Sequence, residues 1–282
     1  MPLKHILGVD HVVVTVRDLA AAAKIWAGLG FTVSPRGTHS PILGSGNHTI
    51  MLADDYVELL GILTETEHNK PTREFLAERE GLERVAFTTD DAAAGAAEIT
   101  ARGQEALGPV HFGRPVELPG GGQGEAKFNV FRWPLDQNPG SVRIFACQHL
   151  TRETVWIPEL QRHDNGAVRL LRIEIVTRDP AAAAAQLSRL IDQPARQDAH
   201  GWHVPSGAGR ADFLFYDAPG FAALYPEAVR DGAPAEGAAA LVLETQDPAG
   251  AARIPGAIAR EAGVVDVPAA KACGVVLSFV PR

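Results

Sequence analysis

Two side chains stand out because they interrupt apolar, strand-like runs: His11 in Asp10-His-Val-Val-Val-Thr-Val16 and Glu58 in Tyr56-Val-Glu-Leu-Leu60. Side chains alternate between the two faces of a strand, so His11 shares a side with Val13 and Thr15, and Glu58 with Tyr56 and Leu60. An imidazole and a carboxylate meeting in one concavity suit a borderline divalent ion. Burying such a carboxylate unpaired is strongly unfavourable, and a metal or another cation offsets that cost. His39 and His48 flank the glycine-rich turn Gly44-Ser-Gly46. An imidazole there would move a proton near neutral pH, although a lone strand histidine is more often a satisfied core or surface residue. Arg114, Lys127 and Arg132, the last beside Trp133, would anchor a carboxylate or phosphate over a cavity mouth. Solvated strand-edge charges are their ordinary alternative.

Several other chemistries lack their residues. There is no Gly-x-Ser-x-Gly elbow, no His-Glu-x-x-His helix and no dinucleotide fingerprint, which argues against serine hydrolases, zincins and nicotinamide enzymes. Gly120-Gly-Gly-Gln-Gly124 lacks the Lys-Ser/Thr of a phosphate loop and reads as a hairpin tip. Cys147 and Cys273 are the only cysteines, which excludes a disulfide framework and a cysteine-based zinc site. A formal charge of −8 offers no basic face for nucleic acid or an anionic membrane. No apolar run reaches the roughly 18 residues of a membrane span, and the first residues lack a signal-peptide core. The expectation is a cytoplasmic protein whose partner is a small molecule, with no nucleic acid and no membrane.

The elements that must position these groups emerge from a repeat. Four segments each carry a strand-like run with an aspartate seven positions after its first residue: His11 to Asp18, Arg84 to Asp91, Arg172 to Asp179 and Ala240 to Asp247. Each aspartate precedes an alanine-rich stretch, where a carboxylate accepts from orphan N–H groups and meets the positive end of the helix dipole. Pro180 and Pro248 stand at first helical positions, and Gly28 or Gly30, Gly103 and Gly263 are the expected helix stops. Alanine-rich helices after strands resemble one another by composition alone, but the fixed aspartate offset argues for duplication. Later strands are expected near 31–34, 48–53 and 56–60 in the first copy and near 113–118, 126–133 and 142–149 in the second. The third copy gives 201–204 and 211–216, and the fourth 274–280. With 282 residues, 46% of them apolar, two domains are expected: residues 1–160 and 161–282, joined through Thr151–Val168.

Four βαβββ modules in this length resemble the vicinal oxygen chelate superfamily, the glyoxalase, bleomycin-resistance and extradiol dioxygenase group. The closest match is Asp10-His-Val-Val-Val-Thr-Val-Arg-Asp-Leu19 with Trp26-Ala-Gly-Leu-Gly-Phe31 and Tyr56-Val-Glu-Leu-Leu60. Gly37-Thr-His39, Gly44-Ser-Gly-Asn-His48 and Gln148-His-Leu-Thr-Arg-Glu-Thr-Val-Trp156 are similar to its glyoxalase-like branch. The resemblance implies an α+β fold in which modules pair into two incomplete β-barrels. It also implies metal ligands on the first and fourth strands of paired modules, here His11 and Glu58, with Gln148 or His149 from the second module. The metal would be zinc, nickel, manganese or iron. Arg84 stands where the second histidine belongs, so a metal-free barrel with Arg84 paired to Glu58 is the alternative. The leading expectation is a metal-dependent lyase or isomerase acting on a small oxygenated or carbonyl metabolite. His48 or His39 would carry the proton, and Arg84, Arg114, Arg132 and Trp133 would contact substrate. The rival is a metal-free protein that sequesters a small molecule. A homodimer stays open, and the second half, lacking ligands, is expected to be mainly structural, with Glu174 and Glu244 in phase with Arg172.

Overall fold

All four repeated aspartates cap helices in the computed structural model, which describes residues 3–118 and 121–282. Asp18 accepts from Ala21 N, Asp91 from Ala93 N and Ala94 N, Asp179 from Ala182 N, and Asp247 from Gly250 N. The local signal therefore does what capping chemistry requires of it, and it starts each module. In the first half the elements run β1 (Val9–Val16), α1 (Leu19–Gly28), β2 (Gly37–Thr38), β3 (Ser45–Met51), β4 (Tyr56–Ile62), α2 (Lys70–Glu78), β5 (Gly81–Thr88), α3 (Ala92–Ala101), β6 (Leu107–Leu118), β7 (Gly122–Arg132) and β8 (Arg143–His149). In the second they run β9 (Ala167–Val176), α4 (Pro180–Ile191), β10 (Arg196–Gln197), β11 (Trp202–Val204), β12 (Asp212–Tyr216), α5 (Ala218–Leu224), α6 (Glu227–Arg230), β13 (Gly237–Thr245), α7 (Pro248–Ala252), β14 (Ile258–Ala259), β15 (Val265–Val267) and β16 (Val276–Pro281).

The strands form two eight-stranded sheets of one topology, β2-β3-β4-β1-β5-β8-β7-β6 and β10-β11-β12-β9-β13-β16-β15-β14. In every module the first strand pairs parallel with the last, and the two first strands of a pair meet antiparallel at the sheet centre. The first sheet curls until β2 lies against β6. This is the paired βαβββ architecture of two incomplete barrels.

Alternation along the strands divides the residues by face. Val12, Val14, Val57, Leu59, Val85 and Phe87 join Ile173, Phe213, Leu241 and Leu277 of the second sheet in one hydrophobic cluster. Phe87 stacks on Phe213 across the two halves at 5.8 Å. The opposite, concave face of the first sheet carries Met51, Tyr56, Ala86, Phe128 and Cys147, covered by Val155, Trp156 and Leu160 from the connection between the halves. The second concavity is filled by its own chain: Phe221, Tyr225 and Val229 from α5 and α6 pack on Val176, Tyr216, Ala240 and Val276.

Some local expectations shift. Residues 31–34 are not a strand. Pro35 has no N–H for a ladder, and pairing starts only at Gly37. The helix of the fourth module, α7, ends at Ala252, well before Gly263, and the turn that follows it uses Gly256 at φ +81°. Gly120 of the expected hairpin tip lies outside the described residues.

Candidate active site

His11 and Glu58 converge. Register places His11 beside Tyr56 and Val13 beside Glu58 on the parallel β1–β4 pair, so both functional side chains emerge on the concave face. His11 Nε2 lies 3.6 Å from Glu58 Oε2. The His11 ring stacks on Tyr56, with centroids 4.3 Å apart, and meets the edge of Phe145. Glu58 Oε1 accepts from Asn47 Nδ2 at 2.6 Å, and His39 Nε2 stands 4.0 Å from the same oxygen. His39 Nδ1 is 2.8 Å from Ser45 Oγ. Burial lowers the pKa of His39 against the pull of Glu58, and Arg114 and Arg84 lower it further, so this imidazole is neutral at pH 7.

Asp10 is the residue that sequence reasoning missed. A regular strand would turn it away from His11, but the β1–β5 register shifts between Val9 and His11. A bulge of this kind re-aims a side chain. Fully buried Asp10 binds His11 Nδ1 at 2.7 Å and His149 Nε2 at 2.9 Å through Oδ1, and accepts from Thr88 Oγ1 at 3.0 Å through Oδ2. Burial alone would raise its pKa, but His149 and His11 together hold it well below the usual carboxylate range. Asp10, Cys147 and His149 also bring ligand atoms within 4.8 Å of one another. The adjacency of Asp10 and His11 was visible in the sequence; the bulge was not.

The second module contributes differently from the first. Arg84 pairs with Arg143 in register as His11 does with Tyr56, so the counterpart of Glu58 is Phe145. Gln148 falls on the helix side. Its Nε2 donates to Asp90 O at 2.6 Å, and its Oε1 accepts from Asn129 Nδ2 at 3.0 Å and Ala92 N at 3.3 Å. His149 faces inward but reaches Asp10. Arg84 does not bridge to Glu58; its Nε and Nη2 bind Glu83 at 3.0 and 2.6 Å, and Nη2 also donates to Thr72 Oγ1. Arg143 joins Glu83 as well, and Thr15 Oγ1 donates to it at 2.7 Å. Burial, opposed by Glu58, brings the Arg84 pKa down to about 10.

The remaining predicted residues separate. Arg114 is buried on the concave side; burial lowers its pKa, and the nearby Glu58 carboxylate opposes that. His48 pairs with Leu59, one residue out of phase with Glu58, and its Nδ1 binds Ser34 O. Arg132 is exposed at the end of β7. Trp133 is in the shared core, with Nε1 donating to Gln104 and its ring against Phe87 and Phe131. In the second half Arg172 Nε reaches Glu174 Oε1 at 3.2 Å, whereas Glu244 lies 3.9 Å from both Arg169 and Arg282.

The chain matches the glyoxalase-like domain family over residues 9–191. It belongs to that family, and its fold is that of the vicinal oxygen chelate superfamily. A Staphylococcus aureus protein described as hypothetical superposes with a TM-score of 0.71 at 12% identity, covering 97% of this chain and 99% of its own. A mutant of 4-hydroxymandelate synthase from Streptomyces coelicolor gives 0.61 at 12% identity, over 100% and 93% of the two chains. A methylmalonyl-CoA epimerase variant from the same organism matches 51% of this chain and 99% of its own at 21% identity, with a TM-score of 0.39. At 12% identity the first two likenesses show the fold alone. No curated protein matches the chain, and among the described residues no helix is long and apolar enough to cross a membrane.

Proposed function

We propose that the first concavity is the site of a glyoxalase-type enzyme that takes a small oxygenated or carbonyl metabolite and holds a divalent metal through His11 and Glu58. The observation that carries this reading is the 3.6 Å approach of His11 Nε2 to Glu58 Oε2 while His11 Nδ1 is bonded to Asp10. An ionised Asp10 can only accept, so the shared proton lies on Nδ1 and the Nε2 lone pair faces a carboxylate. Two acceptors facing each other at that distance favour a cation between them. One imidazole nitrogen and one carboxylate, with neutral His39 near, form a donor set for zinc, nickel, manganese or iron. When bound, such an ion supplies Lewis-acid stabilisation of negative charge developing on substrate oxygens.

The protein's own groups complete the chemistry. Asp10 fixes the His11 ring, and Asn47 orients Glu58 through its amide. His39 is the proton carrier next to the substrate position, because His48 is on the other face. Val155, Trp156 and Leu160 cover the concave face and limit its exposure to water. The second concavity is packed by Phe221, Tyr225 and Val229 of its own α5 and α6.

Elemental analysis of purified protein tests the reading. Wild type is expected to carry close to one equivalent of metal, and His11→Ala and Glu58→Gln to lose most of it. Equal and negligible metal in all three would overturn it. The metal-free reading is favoured by Arg84 and Phe145 at the counterpart positions. In that case a proton on His11 Nε2 bridges to Glu58, and ligand raises the melting temperature identically with and without chelator.

A further inference from the structure

The candidate site is closed. The side chains of His11 and Glu58 are 4% and 10% exposed, and those of His39 and His149 are buried to the same degree. A cavity between Ser34, Thr49 and Arg114 on one side and Thr154, Val155 and Leu160 on the other measures about 30 Å³. That is room for one water-sized group, against the few hundred Å³ of a small-molecule pocket. If this concavity is a small-molecule site, as proposed above, part of its cover has to move.

Residues 151–161 are the part of that cover least tied to the barrel. Two single turns, Arg152–Thr154 and Pro158–Gln161, make up most of the segment. The backbone N–H groups of Thr154, Val155, Trp156, Ile157 and Leu160 all bond within it. Among the described residues, 155–160 make no hydrogen bond to either sheet. Polar anchors sit toward the two ends. Thr151 Oγ1 accepts from Lys127 N and donates to Glu125 O, which Thr154 Oγ1 also reaches. Gln161 Nε2 donates to Leu52 O at 2.6 Å and to Ala53 O at 3.2 Å.

Between the anchors the segment is held by apolar contact, with Val155, Trp156 and Leu160 packed on the cluster of Met51, Tyr56, Phe128 and Cys147. Trp156 meets Tyr56 and His149 edge to face. Its Nε1 is buried without an acceptor. An unpaired buried donor disfavours the closed arrangement, and water would satisfy it on opening. Arg152, itself 42% exposed, lays its guanidinium on that indole, 3.4 Å from the ring centre.

Resting on the reading of this concavity as a small-molecule site, we infer that residues 151–161 form a strap that lifts off the concave face between its anchored ends while both sheets stay folded, and that this opening admits the ligand. Local opening of this kind belongs to segments with few polar ties to the core. The chain carries its own reporters. Cys147 lies beneath the strap and is 3% exposed; Cys273 lies in the core shared by the two sheets and is 9% exposed. Opening the strap bares the first thiol and leaves the second covered.

Iodoacetamide labelling of the native wild-type protein, followed by mass analysis of the peptide carrying each cysteine, tests the inference. Cys147 is expected to react first, although Cys273 is the more exposed of the two in the closed chain. Its rate should change less than about twofold between 0 and 1 M urea, because a strap exposes little surface, whereas global unfolding would raise it on the order of a hundredfold. Gln161→Ala loosens one anchor and Arg152→Ala removes the stacking on Trp156. Each should speed Cys147 by about two- to tenfold and leave Cys273 unchanged. Cys147 reacting no faster than Cys273, a rate that climbs with urea as unfolding does, or variants that leave Cys147 unchanged would overturn the strap. The labelling needs neither metal nor ligand. Fast labelling in a protein that holds no metal refutes the metal reading alone, and bound metal with Cys147 unreactive refutes this inference alone.

Discussion

Asp55, in the turn between β3 and β4, makes protein stability depend on pH in a direction opposite to most carboxylates. Its side chain is buried, and Oδ1 accepts from Leu170 N of the second half at 3.1 Å. Burial pushes its pKa from 3.8 up to about 7, against the bond from Leu170 and the charges of Arg210 and Arg169, and with a small push from Asp54. Between about pH 4 and pH 7 the folded chain therefore holds a proton at this site that the unfolded chain has released. Stability falls as pH rises through that window, and the loss is complete above the folded pKa. A displacement of about three units at 1.36 kcal/mol each gives an upper figure of about 4 kcal/mol. Asp55→Asn has the shape of the protonated acid, keeps the Oδ1 acceptor and cannot ionise. Thermal melts of wild type and variant at pH 4, 5, 6, 7 and 8 should nearly coincide at the lowest pH and diverge progressively up to about pH 7. At pH 8 the variant should be higher by on the order of 5 °C for a chain of this size. Taking the difference between the two proteins cancels the histidines that titrate over the same range. A constant offset at every pH, or a variant that is less stable at pH 8, would refute the reasoning.

Phe87 is fully buried and stacks on Phe213 of the other half, so Phe87→Ala should lower stability by about 3–5 kcal/mol in denaturant titration and separate the unfolding of the two sheets into distinguishable steps. Asp91 caps α3 through two backbone N–H groups, and Asp91→Ala should cost about 0.5–2 kcal/mol by the same assay, with no change in metal content. Removing metal from the wild-type protein with a chelator should lower its melting temperature, whereas Glu58→Gln should show no such response.

The modular plan was legible because it rests on local chemistry. An aspartate just ahead of an alanine-rich stretch caps a helix through N–H groups two or three residues on, and strand alternation put His11 and Glu58 on predictable faces. The topology, pairing and capping of all four modules follow that reading. Gln148 and Trp133 were harder to place, because one residue of register moves a side chain to the other face. Gln148 belongs with the start of α3, and Trp133 with the core shared by both sheets.

Composition and periodicity thus determined the repeat, the strand faces and the candidate imidazole–carboxylate pair, since each depends only on near neighbours in the chain. Tertiary structure decided what surrounds that pair. The bulge that turns Asp10 onto His11 arises from the pairing of two strands about seventy residues apart. The same is true of the pairing of Arg84 with Glu83 rather than Glu58, and of the filling of the second concavity by α5 and α6. Arg114 and Asn47 come from different modules and meet only because the sheet curls until β6 reaches β2. Electrostatic partnership depends on distance in space, which no spacing along the chain specifies.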